Sequence, residues 1–144
     1  MGGDFVIDNS VVMAWCFDDE ANAYSDGVQE ALIDHTALVP AVWPLEVANV
    51  LLVAERKKRI SRANSGHFIA LLSQLPIEVA PTESAKVFHE ILLLAREHRL
   101  SSYNASYLEL AICKGLPIAT QDKAIIRAAK SIQLEIFRQN LFLT

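Results

Sequence analysis

Asp8, Glu46, Asn104 and Asp122 each stand where a short apolar run gives way to a stretch of helical period. Three are carboxylates and one is an amide. Carboxylates gathered from distant parts of a chain repel one another, and a divalent cation is the usual means of offsetting that charge. Hard oxygen donors of this kind select Mg²⁺ or Mn²⁺ over softer metals. Singly, each residue has a plainer explanation. Asp and Asn are favoured helix N-caps, and Glu in a first turn complements the helix dipole. On spacing alone both explanations stay open.

These residues need elements that bring them together, and the hydrophobic pattern supplies candidates. Strand-like runs fall at 4–7, 37–39, 77–79, 118–120 and 134–137, and helical stretches at 11–17, 21–34, 45–58, 62–75, 83–98, 103–114 and 123–131. Gly115-Leu116-Pro117 and Pro76 end helices, and Pro44 suits a first helical turn. The alternation predicts one α/β domain over 1–144: a central parallel sheet of about five strands with helices on both faces. Ligands of such sheets bind where strands end and helices begin, and parallel strands bring Asp8 and Asp122 to one edge.

Composition narrows the function classes. A chain of 144 residues fits one domain. Its 52% apolar content and mean hydropathy of +0.25 suit either a compact helical core or a surface covered by a partner. Net charge is −4, so any attraction to nucleic acid must be local. The one dense basic run is Arg56-Lys57-Lys58-Arg59, which either steers RNA phosphates or complements a helix C-terminus while staying solvated. Cys16 and Cys113 lack metal-ligand spacing and are expected to be small buried thiols of a reducing compartment. No run approaches the length of a membrane helix and the N-terminus has no leader pattern, so a cytoplasmic location is expected.

Four segments carry a resemblance. Phe5-Val6-Ile7-Asp8-Asn9-Ser10 resembles the opening motif of PIN-domain ribonucleases, in particular the VapC-type toxins of toxin–antitoxin pairs. Pro44-Leu45-Glu46-Val47-Ala48-Asn49 is similar to the second motif, Ser102-Tyr103-Asn104-Ala105-Ser106-Tyr107 to the third, and Thr120-Gln121-Asp122 to the fourth. Together they span nearly the whole chain in the family's order. Two positions depart from the pattern. Asn9 stands where the family has a small residue, and Asn104 where it has a metal-binding aspartate.

The resemblance implies a Mg²⁺-dependent endoribonuclease, with Mn²⁺ as a substitute. Asp8 and Asp122 would hold the ion, Glu46 would be a further ligand or orient water, and Ser10, Thr120 and Asn49 would support them. Asn104 keeps the shape of the missing aspartate but lacks its charge, which implies an attenuated enzyme. Val50-Leu51-Leu52-Val53 exceed one core face, which suits a helix buried on both sides as well as one covered by a partner. By the resemblance, these early helices would form a homodimer and a groove for an antitoxin. A non-catalytic module of the same fold, holding antitoxin or RNA without cleavage, is the alternative that Asn104 keeps open. A phosphoacceptor receiver domain is set aside, because Asp8 is followed by Asn9-Ser10 and no acceptor aspartate follows the third strand.

Overall fold

The computed structural model describes residues 3–138. Four strands, β1 (Phe5–Ile7), β2 (Ala37–Pro40), β3 (Ile77–Ala80) and β4 (Ile118–Ala119), form a parallel sheet in the order β3-β2-β1-β4. β1 and β2 are buried along their whole length and read as continuous apolar runs, as strands covered on both faces must. From β1 the chain builds outward through β2 to β3, then returns to the other side of β1 with β4. The strand order therefore reverses between β1 and β4, and the C-terminal ends of these strands are where ligands of such sheets bind.

The fifth strand expected over 134–137 is reduced to one bridge between Ile118 and Ile136. Ile118 N–H donates to the Glu135 carbonyl and Phe137 N–H to the Ile118 carbonyl. Of the two residues of β4, both pair with β1 but only Ile118 is bridged on the far side. The sheet thus has four strands rather than about five.

Helices α1 (Asn9–Cys16), α2 (Ala23–Ala31), α3 (Trp43–Arg56), α4 (Arg62–Gln74), α5 (Ser84–Lys86), α6 (Leu92–His98), α7 (Ser102–Lys114) and α8 (Lys123–Ser131) flank the sheet. A short 3₁₀ turn, Asp18–Glu20, follows α1, and a π-turn, Val87–Ile91, joins α5 to α6. α3 starts and stops two residues before its expected limits. Pro44 lies within its first turn, and Lys58 (φ 60°) has left helical geometry. α7 ends at Gly115 in the left-handed region (φ 65°), where glycine meets no Cβ penalty.

The core joins the sheet to the inner faces of these helices, with Phe5, Ile7, Val11, Tyr107, Leu108 and Ile125 fully buried. Phe137 stacks on Phe5 at 4.0 Å between ring centroids. Neither cysteine is fully buried as expected: Cys16 is half-buried and Cys113 exposed. α7 buries its middle, Ala105 to Ala111, and Cys113 falls beyond that span. Among the described residues no helix is long and apolar enough to cross a membrane.

Candidate functional site

Asp8 follows β1 directly and is almost entirely buried (3% exposed). Its N–H continues the sheet by donating to the Ala119 carbonyl, and its carboxylate caps α1. Oδ1 accepts from Ser10 N–H at 3.0 Å, Val11 N–H at 3.4 Å and the Ser10 hydroxyl, while Oδ2 accepts from the Thr120 hydroxyl at 2.6 Å. Each hydroxyl also accepts a backbone N–H from the loop after β4. Gln121 donates to Ser10 Oγ at 2.9 Å and Asp122 to Thr120 Oγ1 at 3.0 Å. Asp122 in turn caps α8 through Oδ1 to Ile125 N–H at 3.0 Å.

The two strand ends are thereby interlocked. Burial pushes the Asp8 carboxyl up to about 6 against the pull of its hydrogen bonds, and the charge of nearby Asp122 adds to the rise.

The other two residues come from helices. Glu46 is half-buried in the first turn of α3, and its Oε1 accepts a 2.5 Å hydrogen bond from the Tyr107 hydroxyl of α7. Tyr107 is 1% exposed. Burial above all, then the bond to Glu46 and the charges of Glu46 and Asp8, hold its phenol far above its ordinary range, so it acts as a donor. Asn104 lies in the first turn of α7 but is not its cap. Ser101 caps that helix by accepting from Asn104 N–H at 3.0 Å. The Asn104 side-chain amide makes no hydrogen bond among the described residues.

A groove of about 580 Å³ adjoins this half, lined by Asn9, Leu45, Glu46, Asn49 and Tyr103 among others. Asn49 is exposed there, and Asn9 keeps a buried Oδ1 without a partner among the described residues. In the sequence Asn9 is only a departure from the family pattern and Tyr107 only the last residue of the third motif. Nothing in their spacing distinguishes a clamp on a carboxylate from a core tyrosine.

The basic run lies elsewhere. Arg56 ends α3, roughly 15 Å along the axis from Glu46 at 1.5 Å per residue. Arg59 is engaged by Asp19 at 3.2 Å and Glu20 at 3.3 Å, and lies over the Phe17 ring at 4.2 Å. Arg56, Lys57 and Lys58 are exposed.

Asp8 is thus joined through Thr120 to the Asp122 backbone, and Glu46 is joined to Tyr107. Among the described residues no three His, Cys, Asp or Glu side chains group closely enough to hold an ion. Glu46 is tied to Tyr107, and the amide of Asn104 makes no hydrogen bond with Asp8, Asp122 or Glu46 among the described residues. The donor set that remains, two carboxylates supported by hydroxyls, has the oxygen chemistry of a divalent cation site in which water and substrate complete the shell.

The solved structures include one of similar fold: the crystal structure of PAE2754 from Pyrobaculum aerophilum, at a TM-score of 0.68 and 23% identity, covering 87% of this chain and 78% of that one. No curated protein matches the chain. The PIN domain family profile matches residues 5–131, nearly the whole of the described fold with every candidate site residue inside it. PIN domains are generally metal-dependent nucleases, and this chain belongs to the PIN domain family.

Proposed function

We propose that the chain is a Mg²⁺-dependent endoribonuclease, the toxin of a toxin–antitoxin pair, attenuated by the amide at position 104. The observation that carries this reading is the interlock at the strand switch point. The Thr120 hydroxyl joins the Asp8 carboxylate to the Asp122 backbone N–H, and the Asp8 charge is held in a buried place that disfavours it, with the charge of Asp122 adding to the rise.

Asp8 and Asp122 would hold the cation, with the Asn104 carbonyl as a neutral further donor. When bound, a divalent ion supplies an activated water and screens the charge of a phosphodiester. The chain's own residues do the rest. Ser10 and Thr120 fix the Asp8 carboxylate from two sides. Glu46 orients the attacking water or takes its proton. Asn104 supplies shape without charge, which weakens cation binding relative to an aspartate there.

Exposed apolar side chains on α3 and α4, with Leu45 at 73% and Ile69 at 49% exposure, support the further reading that a second copy and an antitoxin cover these helices. Cleavage of a mixed RNA pool with and without Mn²⁺ tests the catalytic part. The reading expects metal-dependent fragments that vanish in Asp8→Asn and increase in Asn104→Asp. Equal, metal-independent rates in all three would sink it.

A further inference from the structure

Of the three acids, Glu46 alone is not held by its own helix. Asp8 and Asp122 are short side chains pinned by backbone N–H groups at helix caps. Glu46 is one methylene longer and half-buried, and α3 makes no side-chain cap bond near it. Such a side chain samples several rotamers unless something beyond its helix selects one.

Among the described residues that selection comes from Tyr107, 61 positions along the chain. The ring itself has nowhere to go: it is fully buried and packed within the main core on the middle of α7. Asn104 lies one turn earlier on that helix, so a single face of α7 serves both the amide position and the Glu46 contact.

We propose that Tyr107 is the positioning residue of the site: by donating to Glu46 Oε1 it occupies one oxygen and leaves Oε2 alone, in one orientation, to meet water or substrate. What that oxygen does rests on the nuclease reading. The clamp itself does not.

The experiment compares Tyr107→Phe, Glu46→Gln and the double variant, each in the chain as it stands and with Asn104→Asp. Phenylalanine keeps the ring in the core, so the fold is retained. Carboxyl ¹³C NMR of labelled glutamate, with Glu46 identified by its loss in Glu46→Gln, should show one narrow signal that shifts and broadens in Tyr107→Phe. Mn²⁺ titration should give a midpoint within about threefold of the parent, because Asp8 and Asp122 are untouched.

In the Asn104→Asp background, Tyr107→Phe should lower kcat by roughly 10- to 100-fold, the usual effect of removing a group that orients a ligand, with KM for RNA within about twofold. The double variant should be no slower than Glu46→Gln alone. An unmoved Glu46 signal, or losses that multiply, would overturn the clamp. If no RNA is cut in any form while the Glu46 signal still responds to Tyr107→Phe, the nuclease reading falls and the clamp stands.

Discussion

The site has two halves that are held in different ways. At the strand ends, Asp8 and Asp122 are short side chains capping α1 and α8, and two hydroxyls stitch the loops together. Backbone geometry fixes them. On the helix side, Glu46 depends on a single side chain from another helix, and Asn104 on none among the described residues. The first half holds one buried and one half-buried carboxylate, and the second half a half-buried carboxylate and an uncharged amide. A cation would be anchored at the strand ends and tuned from the helices, so substitutions in the two halves should differ in kind as well as size.

The largest effect is expected at Asp8. Asp8→Asn removes the buried charge and should lower metal-dependent cleavage by about 100-fold or more. It also has a stability signature. A carboxyl with a pKa of about 6 in the folded chain and 3.8 otherwise binds its proton more tightly when folded. Stability therefore falls as pH rises between those values, and the penalty is fully present above them. At 1.36 kcal/mol per unit this is at most about 3 kcal/mol. Urea unfolding from pH 4 to 7.5 should show that slope in the parent and a flatter line in Asp8→Asn. Identical slopes would mean that the strand half carries no such strain.

The same contrast explains what could be read from the letters. Asp8 and Asp122 were legible because a cap after a buried strand is a local pattern: an apolar run, a carboxylate, a helix. The sheet was legible for the same reason, except at 134–137. There the pairing depends on how far β4 is matched on its outer side, a property of another segment. Asn104 was legible as a chemical departure but not as a non-cap, since Ser101 competes for that role and wins. Tyr107 was not legible as a clamp. Its bond to Glu46 spans 61 positions, and only the complete fold brings the start of α3 to the Tyr107 hydroxyl.

Asn104→Asp tests the helix half directly and should rank next. On the proposed reading a fourth carboxylate joins the site, which should lower the melting temperature in the absence of metal and raise the gain on adding Mn²⁺. Cleavage should increase by roughly 10- to 100-fold. A gain in activity without a larger Mn²⁺ stabilisation would detach Asn104 from the metal and leave it a substrate contact.

Thr120→Val separates support from charge within the strand half. The swap keeps the shape but removes the donor to Asp8 Oδ2 and the acceptor for Asp122 N–H. Leaving these groups unpaired should cost about 1–3 kcal/mol in urea unfolding, with cleavage falling less than in Asp8→Asn. Losing as much cleavage as Asp8→Asn would show that the Thr120 hydroxyl takes part in the chemistry rather than in holding Asp8.

The smallest effects are expected at the far end of α3. Lys57 and Lys58 lie beyond the turn where the helix stops, whereas Glu46 opens it. Arg59 is taken up by Asp19, Glu20 and the face of Phe17. Exposed pairs of this sort are worth up to about 1 kcal/mol, so Arg59→Ala should register in stability rather than in RNA affinity. Reversing Lys57 and Lys58 to Glu should change RNA affinity by less than about twofold. The slope of log affinity against log salt should stay within about one, the change expected if a single phosphate contact were lost. A slope that drops by two would put these lysines on the RNA path. The helix half would then be a longer surface than Glu46 and Asn104 alone, running the length of α3 from the carboxylate at its start to the cations at its end.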